Sequence, residues 1–253
     1  MKVTFLGTGT SQGVPVIGCT CEVCTSVDFR DKRLRASVHL EVEGKSIIID
    51  SGPDFRQQVL TNRIRSLDAL VFTHEHKDHT AGMDDVRSFN FLQRRSMPVY
   101  AHARVIESLK REFAYVFAEK KYPGVPQIDI HEISLEPFSV LGIPFQPIEV
   151  MHYKLPVLGF RVYDFTYVTD AKTIADSEKE KIRGSKVLVL DALQKQSHLS
   201  HLTLEEALEL IKELQPEQTY LIHMSHRMGL HREILKELPA NVSLAYDGLT
   251  ITV

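Results

Sequence analysis

The chain has 253 residues, a formal net charge of −3, and a composition that is 43% hydrophobic and 25% charged. This is the composition of an ordinary globular protein with enough residues for a large core, so we expect one domain over residues 1–253. The acidic balance argues against a surface that coats nucleic acid, although it allows a local cationic pocket for a phosphate. No apolar run approaches the ~18 residues that a membrane helix needs, and the first strand ends at Gly7, which leaves no room for a signal peptide. We therefore expect a cytoplasmic protein without a membrane span.

Short strands and helices alternate along the first half of the chain. Residues 38–42 and 46–50 flank the turn Glu43-Gly44-Lys45, which is typical of a β-hairpin. An apolar strand at 69–73 leads directly into a segment rich in histidine. The other elements predicted here are, in order, a strand at 3–6 followed by a turn-rich loop at 7–13, a helix at 55–62, a strand at 99–102, a helix at 105–117 and a loop at 118–129.

The second half of the chain predicts a similar alternation. A helix at 203–214 has an apolar face, and residues 242–253 predict a closing hairpin with Asp247-Gly248 at its turn. The remaining predictions are strands at 145–150, 159–163, 165–169, 187–190 and 220–222 and a helix at 232–237. Two strand-rich halves, each with its own helices, favour two sheets packed face to face with helices outside.

A dense cluster of metal-binding residue types follows the strand at 69–73. His74, His76, Asp78 and His79 all lie within six residues. A strand end followed by a loop holds such side chains on a rigid support while letting them converge on one point. Imidazole nitrogens and a carboxylate are ligands that borderline divalent cations such as Zn²⁺ prefer. The segment therefore predicts a metal site.

Three further candidates lie downstream, each at the end of a predicted strand: His152, Asp170 and His223. Taken singly, a histidine at a strand end is more often a hydrogen-bonded structural residue. Ligands so close in sequence as those of the first cluster cannot all reach one ion, however, so the site needs donors from elsewhere in the chain. We therefore expect all three residues to be metal ligands.

The order His-x-His-x-Asp-His, then His, Asp and His, resembles the ligand pattern of the metallo-β-lactamase superfamily over essentially the whole chain. The resemblance implies an α/β fold, the four-layer αββα sandwich, with metals at one edge of its sheets. It also implies two divalent ions with these ligands: His74, His76 and His152 for one, Asp78, His79 and His223 for the other, and Asp170 as the bridge. Two dications ~3.5–4 Å apart share a hydroxide that acts as nucleophile, because they lower its pKa. Such ligands leave both zinc and manganese open as the metal.

A second cluster consists of three thiols, Cys19, Cys21 and Cys24, in a chain that has no other cysteine. They make a poor disulfide framework, whereas structural zinc takes four tetrahedral ligands and Cys₃His sets are common. We expect His226, three residues beyond His223, to be the fourth ligand of one structural zinc. Such an ion would join the N-terminal loop to the strand end that bears His223 and would add folding energy.

Cysteines placed after a Gly-Thr-Gly loop, with a histidine three residues past the last ligand, resemble the PhnP-like phosphodiesterases. The segment Gly82–Arg87 is also similar to that group, which is related to ribonuclease Z but lacks its long arm. The resemblance implies hydrolysis of cyclic ribose phosphates and related phosphodiesters, and it implies a homodimer. The segment His201-Leu202-Thr203 resembles the His-x-Thr element of these proteins, which makes His201 the general acid or oxyanion stabiliser.

Other residues are candidates for supporting roles. His198 is the alternative to His201 as the acid, whereas Thr203 is explained by an N-cap with a Glu206 capping box. Asp50, at the end of an isoleucine-rich strand, is expected to support a ligand imidazole. Three cations lie near ligands in sequence, namely Arg87, Lys154 and Arg227. Four aromatic residues either wall a pocket or pack in a helix core, namely Phe113, Tyr115, Phe117 and Tyr122.

The function that these residues favour is hydrolysis of a small or cyclic nucleotide-like phosphodiester, with Asp78 and His201 in the catalytic group. Two alternatives stay open: hydrolysis of a thioester or lactone on the same fold, and a non-hydrolytic metal-binding protein of a cofactor-biosynthesis pathway. The cysteine cluster and His201 favour phosphorus over carbon, and the intact ligand set counts against the non-hydrolytic protein. A tRNA-processing role would need a large basic arm, which the sequence lacks, so large nucleic acids are not expected as partners.

Overall fold

Two seven-stranded sheets form the centre of the molecule. The structure is a computed structural model and describes residues 1–253. The strands of the first sheet are β1 (Lys2–Gly7), β2 (Ser37–Val42), β3 (Lys45–Ile49), β4 (Ala69–Val71), β5 (Met97–His102), β6 (Ile128–Ile133) and β14 (Thr250–Thr252). Their order across the sheet is β14-β1-β2-β3-β4-β5-β6.

The second sheet is formed by the other half of the chain. Its strands are β7 (Phe138–Val140), β8 (Ile143–His152), β9 (Leu155–Val162), β10 (Phe165–Tyr167), β11 (Val187–Asp191), β12 (Gln218–Ile222) and β13 (Val242–Leu244). They follow one another in sequence order across the sheet, from β13 at one edge to β7 at the other.

Nine α-helices and three 3₁₀ turns connect the strands. The α-helices are α1 (Glu22–Thr25), α2 (Phe55–Thr61), α3 (Lys77–Thr80), α4 (Arg87–Gln93), α5 (Ala103–Glu112), α6 (Ala114–Phe117), α7 (Asp176–Ile182), α8 (Leu204–Leu214) and α9 (His231–Ile234). The 3₁₀ turns lie at Phe29–Asp31, Met83–Val86 and Leu235–Glu237. None of these helices has the length and apolarity that crossing a membrane requires.

Three separate apolar cores show that the sheets and helices form four layers. In β3, Ile47 and Ile49 pack in the core between the two sheets, whereas Ile48 packs in the core beneath α2, α4 and α5. In β11, Val189 faces the inner core and Leu188 faces α8. Successive side chains of a strand point to opposite faces, so each central strand supplies two cores. The predicted αββα sandwich is confirmed.

The direction of the strands decides where the polar strand ends lie. β3, β4, β5 and β6 are parallel to one another, and so are β10, β11, β12 and β13. β8 runs the same way as β10, since both are antiparallel to β9. The carboxyl ends of parallel strands share one edge of a sheet, and ligand sites form there. The residues that end or follow β3, β4, β8, β10, β11 and β12 at these edges include Asp50, His74, His152, Asp170, Asp191 and His223.

The predicted closing hairpin over residues 242–253 is wrong. β13 joins the second sheet, parallel to β12, whereas β14 joins the first sheet, antiparallel to β1. The carboxylate of Asp247 accepts hydrogen bonds from Thr8 Oγ1 at 2.8 Å and from Leu34 N at 2.6 Å. The predicted turn at Asp247 is therefore bound to the N-terminal part of the chain. The segment between β13 and β14 connects the two sheets.

The remaining differences from the sequence predictions concern short elements. The helix predicted over 105–117 is divided at Phe113 into α5 and α6, and β6 begins at Ile128, inside the predicted loop. Helices α1, α3, α4 and α7 and strand β7 have no counterpart among the predicted elements. The four residues of α3 include no large apolar side chain, and α7 buries only Ile182, so neither has the apolar period that reveals a helix.

His39 gives the fold a testable dependence on pH. Its Nε2 lies 2.7 Å from Ser46 Oγ, and the Ser46 hydroxyl donates to Ser66 O, so the imidazole donates as a neutral ring. Burial lowers the pKa of His39 to about 4. The unfolded chain therefore binds the proton more readily, and stability is lost as the pH falls through the window from 6.5 towards 4.

We expect the free energy of unfolding to fall by about 2 kcal/mol between pH 7 and pH 5 through His39 alone. His39→Gln keeps the hydrogen bond to Ser46 but cannot titrate. Urea unfolding followed at several pH values would check this, because the curve of free energy against pH should be flatter in the variant by that amount. Parallel curves for the two proteins would contradict the assignment.

Candidate metal centre

Three side chains at the shared edge belong to residues with a left-handed backbone. Asp50, Asp170 and His223 have φ angles of 64°, 55° and 57°. Residues other than glycine adopt this region rarely, although Asp and His are enriched there. Strain of this kind costs about 1–3 kcal/mol per residue and concentrates at functional sites. At these strand ends, backbone strain lowers the stability of the fold, and the same backbone conformation places the side chains at the site.

Asp50 orients two imidazoles from beneath the site. Its Oδ2 accepts from His79 Nδ1 at 2.7 Å and from Thr73 Oγ1 at 2.8 Å, and its Oδ1 accepts from Thr73 N at 2.9 Å. Since the Thr73 hydroxyl donates to Asp50, it accepts from His74 Nδ1, which lies 3.0 Å away. Both rings therefore donate from Nδ1, which leaves Nε2 as the atom that each presents to the site. The predicted supporting contact of Asp50 is present, and Thr73 is an addition that the sequence reasoning missed.

The structure brings all seven predicted ligands of the two catalytic ions to this edge. Three sets have ligand atoms within 4.8 Å of one another: Asp78, His79, Asp170 and His223; His74, His76 and Asp170; and His152, Asp170 and His201. Asp170 belongs to every set, which fits a bridging carboxylate. His152, whose Nδ1 donates to Ser200 O at 2.8 Å, lies beside both His76, with ring centres 5.3 Å apart, and His201, with ring centres 4.4 Å apart.

Unpartnered nitrogen atoms test whether these residues fit metal ions. The Nε2 atoms of His74, His79 and His223 are buried and have no hydrogen-bond partner. Buried polar atoms nearly always have one, so three that converge on one point need an explanation. His79 Nε2 and His223 Nε2 lie 3.3 and 3.2 Å from the same oxygen of Asp170. Imidazole nitrogens arranged around shared carboxylates are the donor set of zinc and manganese, and the residues fit such ions.

The electrostatics of the carboxylates agree with a cationic site. Burial raises the pKa of Asp170, but the nearby rings of His223 and His79 outweigh burial and hold this pKa well below its ordinary value. Burial likewise lowers the pKa of His79, but Asp170 and Asp78 outweigh it and hold the pKa well above the ordinary value. The carboxylates therefore attract positive charge to this point, and a divalent ion would take the place of the proton.

Two glycines let the loops of the site approach one another. A Cβ at Gly52 would collide with the backbone oxygen of Asp78, and one at Gly82 would collide with the backbone oxygen of Gly52. The loop after β3 and the segment that carries Asp78 and His79 are thus packed backbone against backbone. Neither loop can shift without the other, which fixes Asp50 beneath His79.

The three thiols meet His226 at a second point. Its Nδ1 lies 3.3 Å from Cys19 Sγ, 3.3 Å from Cys21 Sγ and 3.5 Å from Cys24 Sγ. The backbone N–H of Cys24, together with His226, lowers the pKa of Cys21 to about 6, whereas burial raises the pKa of Cys24 to about 11. Four donors converge, and this Cys₃His set fits a structural zinc. Hydrogen bonds between Thr10 N and Met224 O and between Met224 N and Thr8 O bring the N-terminal loop beside His226.

His201 is the remaining candidate for catalysis, and it lies against the ligands. Its buried ring is 4.4 Å from that of His152 and 4.8 Å from that of His223, centre to centre. Its Nδ1 and Asp191 Oδ2 face each other at 3.8 Å, and neither atom has a hydrogen-bond partner. Asp191 was missed, although it ends an apolar strand as Asp50 does. His198 is farther out, with its ring 5.2 Å from that of His201.

Comparison with known proteins agrees with this geometry. The sequence profile described as "Beta-lactamase superfamily domain" matches residues 45–224. A crystal structure of a new diphosphatase from the PhnP family is 39% identical, with a TM-score of 0.93 over 100% of this chain and 97% of that one. The chain belongs to the metallo-β-lactamase superfamily, in its PhnP-like group. The predicted family is therefore confirmed, and members of this superfamily are usually metal-dependent hydrolases.

The names of two other similar proteins do not describe a phosphatase. An octanoyltransferase of Porphyromonas gingivalis is 41% identical over 252 residues, which are 98% of this chain but 51% of that protein. The chain thus spans about half the length of this curated relative. Coenzyme PQQ synthesis protein B of Methylorubrum extorquens is 29% identical over 221 residues, which are 76% of this chain and 72% of that protein.

The other predicted residues are three cations, the N-cap of α8 and four aromatic residues. Arg227 lines a cavity together with His201, whereas Arg87 pairs with Asp84 at 3.5 Å and Lys154 lies over the ring of Tyr153. The Thr203 side chain accepts from Glu206 N and closes the predicted capping box of α8. Among the aromatic residues, Phe113 and Phe117 pack in the core beneath the first sheet, Tyr115 donates to Asp84 and Tyr122 is exposed.

Replacing Asp50 tests its role in orienting ligands. In Asp50→Asn one of the three donors would face an amide N–H instead of an oxygen, so we expect the affinity for divalent ions to fall about 10- to 100-fold. Chelator competition, read by metal content, measures this affinity. Asp68→Asn is the matched control, because Asp68 accepts from Ser46 N at the opposite end of β3. Equal affinity in both variants would show that Asp50 has no such role.

Replacing a thiol separates the two metal sites. We expect Cys21→Ser to bind one zinc fewer per chain and to melt at a lower temperature, because an ion that joins distant segments contributes folding energy. The catalytic pair should still bind, since its ligands come from other segments. Native mass spectrometry and thermal melting check both points. Loss of a zinc with an unchanged melting temperature would rule out the structural role.

Proposed function

We propose that this chain hydrolyses the phosphorus–oxygen bond of a small phosphodiester, including the diester phosphorus of a disubstituted diphosphate. The observation that carries the proposal is the convergence of seven ligand side chains beside the buried His201. Water attacks the phosphorus, one bridging oxygen departs, and that oxygen takes up a proton. The substrate is a small molecule, since the chain has no basic arm that would hold a long nucleic acid.

Two divalent ions, zinc or manganese, complete the site in this proposal. Bound there, they would lower the pKa of a water molecule and offset the negative charge of the phosphate oxygens. His74, His76 and His152 would hold one of them, Asp78, His79 and His223 the other, and Asp170 both. A third ion, a structural zinc, would be held by Cys19, Cys21, Cys24 and His226.

The residues of the chain account for the proton and for the orientation of the ligands. Asp191 and His201 face each other, and a small movement would close their hydrogen bond at Nδ1. A histidine held in this way keeps Nε2 as the donor to the departing oxygen. Asp50 and Thr73 fix the tautomers of His79 and His74 before any substrate arrives, so binding requires no reorganisation of these rings.

The comparisons support phosphorus as the reacting atom. The PhnP-family diphosphatase is the relative that matches the whole chain at 39% identity. Each phosphorus of a disubstituted diphosphate carries two bridging oxygens, as a phosphodiester does, so one site suits both substrates. The octanoyltransferase gives weaker support to acyl chemistry, because only 51% of that protein is matched and its activity need not reside in this half.

A second candidate is a role in cofactor biosynthesis without hydrolysis. The similarity to coenzyme PQQ synthesis protein B over 76% of the chain favours it. The complete ligand set and the buried pair of Asp191 and His201 favour hydrolysis, because a protein that only binds a metal needs no proton donor at that place. We therefore retain hydrolysis as the proposal.

The metal-loaded protein should cleave bis(p-nitrophenyl) phosphate and a dinucleoside monophosphate. We expect His76→Ala to abolish both activities. His201→Ala should lower kcat about 100-fold or more for the dinucleoside, whose alkoxide leaving group needs a proton, and less than about tenfold for the aryl ester, whose phenolate does not. Product release followed by chromatography measures both rates.

His131→Gln is the matched control for these variants, because His131 is half-exposed on β6 and stacks on Tyr100. It should leave both rates unchanged. An octanoyl thioester and a lactone complete the substrate set. Turnover of either of these without turnover of a phosphodiester would contradict the proposed function, and so would equal losses for both leaving groups in His201→Ala.

A further inference from the structure

A polar cavity lies between the metal centre and the Cys₃His cluster. Its volume is about 260 Å³, and its walls include both His201, which contacts the catalytic ligands, and His226, which contacts the thiols. A water molecule takes up about 30 Å³ of liquid, so the cavity has room for a group of several heavy atoms. The cavity therefore adjoins the reacting centre without being part of the ligand set.

The chemistry of the walls favours an anion. Only one of the ten lining residues is hydrophobic, and none is acidic. The lining residues with donor groups include Arg227, Thr10, Gln12 and Gln194, whose Nε2 also donates to Gln196 O at 3.2 Å, with His198 beside them. A planar guanidinium next to neutral donors matches a group with several charged oxygen atoms, such as a phosphoryl group.

Arg227 is free to bind such a group. Its guanidinium forms no salt bridge or hydrogen bond within the chain, whereas Arg87 pairs with Asp84 and Arg232 pairs with Glu233 at 3.1 Å. The backbone of Arg227 is nevertheless held in place, because its N–H donates to Ser225 Oγ at 3.2 Å. A cation without an acidic partner is available to pair with a ligand.

The walls of the cavity are fixed relative to each other. Thr10 N donates to Met224 O at 3.1 Å, which joins the N-terminal loop to the segment that continues to Arg227. Ser225 Oγ lies 3.4 Å from Gln194 Oε1, and Ser225 N donates to Leu193 O. These contacts join the segment that carries Arg227 to the wall that contains Leu193 and Gln194. The backbone of the walls therefore needs no rearrangement when a ligand binds, whereas the exposed side chain of Arg227 would become ordered on the ligand.

We propose that this cavity binds the second phosphoryl group of a disubstituted diphosphate, with Arg227 as its principal contact. The inference deepens the proposed function and rests on it. One phosphoryl group would lie at the metal centre and react with water, while its neighbour, one bridging oxygen away, would occupy the cavity. The P–O–P bridge breaks, one water is consumed, and two phosphomonoesters and two protons leave. Arg227 is a specificity residue, since a simple phosphodiester has no group for it.

The test compares two substrates that share an adenosine 5′-phosphoryl group: P1,P2-di(adenosine-5′) diphosphate and adenosine 5′-(p-nitrophenyl phosphate). Arg227→Gln should lower kcat/KM for the diphosphate about 10- to 100-fold more than for the nitrophenyl ester, as expected for loss of a charge-assisted contact. Arg227→Lys, which keeps the charge but not the planar fork, should lose less. Arg232→Gln is the matched control and should change neither rate. Equal losses for the two substrates in Arg227→Gln would overturn the inference.

A binding measurement separates this inference from the proposed function. The metal-loaded protein is titrated calorimetrically with the methylene-bridged analogue of di(adenosine-5′) diphosphate, whose P–C–P bridge it cannot hydrolyse. Arg227→Gln should weaken binding at least about tenfold, and Arg232→Gln should not. If the loaded wild-type protein cleaved neither substrate, the proposed function would fail, and this titration would still decide the inference. Equal affinities of the wild-type protein and Arg227→Gln would overturn it.

Discussion

The buried carboxylate of Asp50 is the interaction on which the metal centre depends. It accepts from His79 directly and from His74 through Thr73, so the end of β3 sets the tautomers of two ligands that the segment after β4 carries. A carboxylate buried in this way is costly unless every oxygen is bonded, and burial does raise its pKa. The donors offset that cost, and the whole arrangement persists because Gly52 and Gly82 allow the two loops to touch.

The position of this contact follows from the sheets. Parallel strands place their carboxyl ends at one edge, and the two halves of the chain bring two such edges together around a shared core. That is why ligands separated by as many as 149 positions, from His74 to His223, meet without a dedicated binding domain. The left-handed residues at the strand ends carry the strain, and the three apolar cores supply the stability that tolerates it.

Much of the fold and of the candidate site could be predicted from the sequence, because the residues that indicate them lie close together in short segments. Near neighbours in sequence are enough to identify the dense His/Asp motif after an apolar strand, the isolated ligands after later strands and the three clustered thiols. The features that were not predicted depend on residues that are distant in sequence. Asp191 follows an apolar strand as Asp170 does, but only its position opposite His201 indicates a role. Asp247 looks like a turn residue in the sequence, whereas in the structure its oxygens accept hydrogen bonds from Thr8 and Leu34. His152 donates to Ser200 O, a contact that no periodicity reveals.

The net charge and the local charge of this protein point to the same kind of substrate. A formal charge of −3 gives the chain no excess of cations with which to bind the many phosphates of a long polyanion. A small phosphate ester experiences mainly what lies within a screening length of about 8–10 Å. Beside His201, which contacts the predicted ligands, are a cavity whose lining has no acidic residue and the unpaired Arg227, and divalent ions bound by the carboxylates would add further positive charge. In the proposed function, this local charge would favour a small phosphate ester over a long polyanion.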